Sequence, residues 1–154
     1  MKIKRLNHAV LFVSDVESAV DFYQGVLGLE VISQQGQMAF LRAPQSENHH
    51  DLGLFGLGAE ASRPARRSVG LYHLAWEVGT IDELAAARET LLAAGAYVGE
   101  SDHGATKSVY GSDPDGNEFE VMWLVPRSQW GEFDRRAVTR PLDLDAELER
   151  YGGS

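Results

Sequence analysis

The chain contains no cysteine, which removes disulfides, thiolate nucleophiles and cysteine-based zinc sites from consideration. It is short of positive charge, with 14 Lys and Arg against 23 Asp and Glu and a formal net charge of −9 at pH 7. Nucleic acid and anionic membrane surfaces both demand a basic patch, so neither is expected as a partner. No apolar run approaches membrane-spanning length. The start, MKIKRLNHAV, has two lysines and an arginine but lacks the apolar core of a signal peptide. These absences predict a soluble cytoplasmic protein.

What is present is the makeup of a packed domain. The 154 residues are 44% apolar, enough for one domain with a real core. Residues 6–13, LNHAVLFV, are β-prone and predict a buried strand that His8 interrupts. A helix should follow, capped by Ser14 or Asp15, with Val16, Ala19, Val20, Tyr23 and Leu27 on one stripe and Gly28 as its stop. Short strands are expected over residues 29–33, 37–41 and 51–57, the last weakened by Gly53 and Gly56.

Residues 58–70, GAEASRPARRSVG, read as a linker, with Arg63, Arg66 and Arg67 as a solvated run. After it the pattern starts again. Leu71, Tyr72 and His73 answer Leu6, Asn7 and His8 at a constant offset of 65 positions, and Val78 answers Val13. Thr80 caps a second helix with Ile81, Leu84, Ala87, Leu91 and Leu92 as its apolar positions, and strands follow near 97–101, 107–110 and 118–124. Each half is therefore β-α-β-β-β, module one about 5–57 and module two about 71–125. Modules of that size cannot bury a sheet face alone, so the two should pack as a pair within one domain spanning 1–154. The fold class is α+β. Residues 126–154 form a tail outside the repeat, with Trp130 and Phe133 as packing anchors and a short helix near 142–151. Docking on a partner subunit is the alternative for that tail.

Within SVYGSDPDGNEFEVMW, residues 108–123, Asp113-Pro114-Asp115-Gly116 is a strong turn signal, because proline pre-sets φ and Gly116 accepts a positive one. Beyond the turn, Phe119, Val121 and Trp123 alternate with Glu118, Glu120 and Met122, so Glu120 lies on the face opposite the apolar set. Phe12, Phe40, Phe55, Trp76 and Trp123 are core candidates, with Trp76 and Phe55 also able to line an aromatic pocket. Alone, His8 or His73 reads more readily as a hydrogen-bonded core histidine than as a ligand. Their shared register changes that. Two imidazoles related by an internal repeat, joined by one carboxylate, form the facial triad that leaves positions open on a non-haem Fe(II) ion.

The paired modules, His8, His73 and GSDPDGNEFEV resemble the vicinal oxygen chelate superfamily over about residues 5–125. This superfamily spans glyoxalase I, type I extradiol dioxygenases, epimerases, fosfomycin-resistance enzymes and bleomycin-binding proteins. The resemblance implies a cupped mixed β-sheet barrel with helices outside, closed around a metal held by His8, His73 and Glu120. Glyoxalase-like members carry a fourth ligand on the last strand of module one, where this chain has DLGLFGL, with Gly53 answering Glu120. His49-His50-Asp51 and Asp102-His103-Gly104 resemble histidine segments of the extradiol dioxygenases, His50 being the better match of its pair. Tyr110 resembles their active-site tyrosine.

The implied roles are His50 or His103 as base, His103 as proton donor to reduced dioxygen, and Tyr110 as a hydrogen-bonding acid. Without the resemblance, His49 and His50 read as a solvated loop and Tyr110 as a strand aromatic. The expected function is catechol 2,3-dioxygenase-like ring cleavage with Fe(II), dioxygen and a catechol-like substrate, in a homodimer. Another metal-dependent member, a lyase, isomerase or thiol transferase using Mn(II), Ni(II) or Zn(II), is the nearest alternative. A metal-free sequestering protein is the further one.

Overall fold

The computed structural model describes residues 1–63 and 69–153; Arg66 and Arg67 of the basic run lie outside the described residues. The chain divides into two compact units, Met1–Ser68 and Val69–Ser154.

In the first unit, β1 (Ala9–Val13) leads to α1 (Val16–Leu27), then β2 (Glu30–Gln35), β3 (Met38–Arg42) and β4 (Leu52–Gly56). Asp15 caps α1 by accepting from the Ser18 N–H at 2.7 Å, which satisfies an otherwise orphaned donor. Gly28 closes the helix at φ 67°, a left-handed conformation that side chains resist. The sheet order is β1-β4-β3-β2, with β1 and β4 parallel and the rest antiparallel. Strand alternation sends Ala39, Leu41, Leu52 and Leu54 to one face, fully buried with Val16, Ala19, Val20 and Tyr23 of α1. Full burial is worth about 1.5–3 kcal/mol for each of the larger aliphatic side chains. The opposite face carries Val10 and Phe12, 45% and 65% exposed. Phe12 is therefore not the core residue expected, because it stands two positions from Val10 and one from buried Val13.

The second unit repeats the order with β5 (His73–Val78), α2 (Ile81–Ala93), β6 (Tyr97–Asp102), β7 (Thr106–Ser112) and β8 (Glu118–Leu124). Its sheet order is β5-β8-β7-β6, again with one parallel pair, β5 and β8. Thr80 and Glu83 close a reciprocal capping box on α2. Phe119, Val121 and Trp123 of β8 are buried, and Trp76 shares that face, in register with Val121. Gly111 faces the Phe119 ring so closely that a Cβ there would lie 2.5 Å from it. At the predicted turn Gly116 has φ 86°, and buried Asp113 accepts the N–H groups of Asp115 and Asn117. That fixes the β7–β8 register, Tyr110 opposite Glu120.

The tail is tied to the second unit. Trp130 donates its indole N–H to the Val125 carbonyl at 2.6 Å, and α3 (Leu144–Tyr151) lies against α2, with the Tyr151 ring 5.0 Å from Trp123. Residue Arg140 pairs with Asp102 as an added antiparallel bridge on β6.

The strands make two open four-stranded sheets rather than the closed barrel anticipated, because their ladders end at β1 and β2 in one and β5 and β6 in the other. Among the described residues no helix is long and apolar enough to cross a membrane.

Candidate functional site

The parallel pairing of β5 and β8 builds the centre of the second unit. His73 opens β5, and the register sets Ala75 beside Glu120, so both side chains leave the sheet on the face opposite Phe119 and Val121. His73 Nε2 lies 3.1 Å from Glu120 Oε2, with side chains 26% and 12% exposed. Two donors each about 2.1 Å from one ion, at right angles, stand about 3 Å apart. The pair therefore fits adjacent ligand positions. Among the described residues His73 Nδ1 is buried without a hydrogen-bond partner. The ring is held by Glu120 and by the rings of Tyr72 and Tyr110, at 4.6 and 5.7 Å.

An open cleft of about 630 Å³ covers this pair, lined also by Tyr72, Ser101, His103, Tyr110, Glu118 and Thr139. Tyr110 reaches it because β7 pairs it with Glu120. Its hydroxyl lies 2.8 Å from His103 Nε2, while His103 Nδ1 lies 2.9 Å from the Val138 carbonyl oxygen. A carbonyl only accepts, so Nδ1 carries the proton. In the neutral ring Nε2 then accepts from Tyr110. Burial, followed by the charge of Glu120, raises the Tyr110 pKa above 10. A hydrogen bond to Glu118 is the main cause of a raised Tyr72 pKa, with burial adding to it. The cleft lining includes Glu100, Glu118 and Glu120 and neither lysine nor arginine.

In the first unit His8 stands just before β1, its Nδ1 2.9 Å from Asn7 Oδ1. An amide oxygen accepts only, so the proton sits on Nδ1 and Nε2 keeps its lone pair for a ligand. Asn7 donates in turn to Asn48, and Asn48 to Asp51. His50 packs between His8 and Phe40, ring centroids at 4.4 and 4.8 Å, whereas His49 is exposed. Burial, then the neighbouring His8 and His49, lowers the His50 pKa below 6.5. Gly53 pairs with Val10 just as Glu120 pairs with Ala75, so the two occupy corresponding positions of the repeat. No carboxylate stands at the first of them.

The structure thus brings together His73 with Glu120, Tyr110 with His103, and His8 with His50. Among the described residues no group of three or more His, Cys, Asp or Glu side chains is gathered to hold a metal ion. Sequence reasoning missed Tyr72, Glu118 and the 138–139 segment. Glu118 was readable from its two-residue spacing to Glu120. Val138 acts through its backbone carbonyl and leaves no side-chain signal.

Residues 5–121 match the family model described as the Glyoxalase/Bleomycin resistance protein/Dioxygenase superfamily. A catechol-2,3-dioxygenase of Bacillus subtilis is 32% identical over 152 residues, covering 96% of this chain and 52% of that protein. A manganese-dependent 2,3-dihydroxybiphenyl 1,2-dioxygenase of Geobacillus genomosp. 3 is 29% identical over 141 residues, covering 87% and 42%. The chain thus spans about half the length, or less, of these curated relatives. A solved glyoxalase/dioxygenase from Nostoc punctiforme superposes with a TM-score of 0.67 at 21% identity, over 80% of this chain and 92% of that one. It shares the fold.

Proposed function

Because the chain belongs to the glyoxalase/bleomycin resistance protein/dioxygenase superfamily, we propose that it is a metal-dependent extradiol dioxygenase acting on a catechol-like substrate. The observation that carries this reading is the His73–Glu120 pair, at ligand spacing, beside the Tyr110–His103 pair in one cleft. The third ligand of this reading is His8, whose Nδ1 contact with Asn7 leaves a lone pair on Nε2. Fe(II) is the preferred ion and Mn(II) the nearest substitute, the latter in keeping with the manganese-dependent relative. When bound, the ion supplies the Lewis acidity and the open positions at which a catecholate and dioxygen meet.

The chain's own residues handle position and protons. Glu120 and His73 orient each other across the β5–β8 ladder. Tyr110 carries a proton at its hydroxyl, held there by a raised pKa, and passes it toward or takes it from His103 Nε2. His50, whose pKa is lowered by burial and then by the neighbouring histidines, serves as a base for a catechol hydroxyl. A glyoxalase-type reaction is disfavoured because Gly53 stands where a fourth donor would be. A homodimer accompanies this reading, and sedimentation analysis checks it.

Anaerobic reconstitution with Fe(II), followed by a panel of catechols in air, tests the proposal. A yellow ring-cleavage product is expected, and it should vanish in Glu120→Ala. Full turnover retained in His8→Ala or Glu120→Ala would refute the ligand set. No affinity for Fe(II), Mn(II), Ni(II) or Zn(II) would refute the enzyme reading as a whole.

A further inference from the structure

We propose that the tail segment 138–140 is a positioning element for His103, selecting the imidazole tautomer that receives the Tyr110 proton. The catalytic consequence rests on the function proposed above; the tautomer does not.

A free neutral imidazole has two tautomers available. Here the Val138 carbonyl, 2.9 Å from Nδ1, admits only the one protonated at Nδ1. Thr139 Oγ1, 3.3 Å from the same nitrogen, adds a second oxygen on that side. Nε2 is left as the acceptor for Tyr110 at 2.8 Å. The other tautomer would reverse the polarity of this chain and turn the tyrosine hydroxyl into an acceptor.

The segment is latched. Arg140 and Asp102 exchange two backbone hydrogen bonds at 2.9 and 3.0 Å, and the Arg140 guanidinium reaches Asp102 Oδ2 at 2.8 Å. Asp102 Oδ1 takes the Gly104 N–H at 2.7 Å and the buried Lys107 ammonium at 2.6 Å. One carboxylate therefore joins the tail to the loop that carries His103. The Phe133 ring seals the same loop, lying where a Cβ on Gly104 would be, with the Arg140 guanidinium 5.3 Å from its centroid. A C-terminal segment outside the repeat thus reaches into the proton machinery of the module.

The test is a long-range ¹H–¹⁵N spectrum of the full-length, metal-free protein labelled at histidine, read at a pH where the ring is neutral. His103→Gln identifies the signal. The wild-type His103 should show Nδ1 protonated and Nε2 bare. In Arg140→Ala the signal should move toward the mixed tautomers of free imidazole. Arg140→Lys should restore it in part. In metal-loaded protein the same Arg140→Ala should lower kcat about ten- to hundredfold with metal content unchanged. If Arg140→Ala does not fold, Phe133→Ala should shift the tautomer in the same direction. A wild-type ring protonated at Nε2, or an unshifted tautomer in the folded latch variants, would overturn the inference. The wild-type tautomer as expected, with no turnover on any catechol, would refute the function and leave this inference standing.

Discussion

On the function proposed above, replacing Tyr110 by phenylalanine should separate proton handling from metal holding. The substitution removes one oxygen, 2.8 Å from His103 Nε2, and leaves a ring of nearly the same volume on β7 opposite Glu120. A single hydrogen bond contributes about 0.5–1.5 kcal/mol to stability, and His103 keeps its bond to Val138, so the fold should lose about 1 kcal/mol. Catalysis should lose much more. A positioned acid or base is worth about 10²–10⁴-fold, or about 3–5 kcal/mol of barrier. The expected result is a metal content within error of wild type, a urea midpoint slightly lowered, and kcat down at least about a hundredfold. Metal analysis by mass spectrometry, urea unfolding and single-turnover kinetics read the three quantities separately. Loss of metal with the rate would mean that Tyr110 acts on coordination, and unchanged kcat would remove it from the proton path.

Glu120→Gln keeps size but removes the charge 3.1 Å from His73 Nε2, and should weaken metal affinity by about 10²-fold or more in a competition titration. Gly104→Ala forces a side chain into φ 80° and places Cβ 2.5 Å from Phe133, which together should cost on the order of 3 kcal/mol. In a Phe133→Ala background only the backbone strain should remain, about 1–2 kcal/mol. Burial pushes Asp102 upward, but the Lys107 and Gly104 hydrogen bonds and the Lys107 and Arg140 charges together hold its pKa below 3.8. A depressed carboxylate stabilises fully above its unfolded value, and this contribution is lost as pH falls through the folded one. Urea midpoints should therefore drop below about pH 3.8. Asp102→Asn should flatten that slope in part, since the Asp51 pKa is also lowered.

The repeat was legible because its two periodicities are carried by side chains. The Asp15 and Thr80 caps and the Gly116 turn each have a local physical signature, and each appears where expected, whereas His8 falls just before β1 and His73 opens β5. β8 is found at the predicted residues, since alternation of Phe119, Val121 and Trp123 with Glu118, Glu120 and Met122 admits one register. The first strands were read too early. β1 begins at Ala9 and β5 at His73, because the ladders to β4 and β8 start there, and partner strands cannot be seen in local pattern. Phe12 was misread for the same reason: apolarity says that a strand has a buried face, not which face is left open. The contacts of His103 with the tail were not readable, because they run through backbone oxygens and a bridge to Arg140 across a long loop.

The β5–β8 pairing makes His73 and Glu120 neighbours although they open and close the module in sequence. β8 inserts between β5 and β7, so it joins the sheet on both edges at once. Until it does, the imidazole has no carboxylate opposite, and no partial fold of the module offers the two together. Any ion that needs both would therefore bind only the completed sheet, and its binding would stabilise the folded state by mass action. On the function proposed above, metal would then distinguish chains whose last strand is seated. A chain that failed to seat it would stay metal-free, and resistance to proteolysis at rising metal concentration would report how often that occurs.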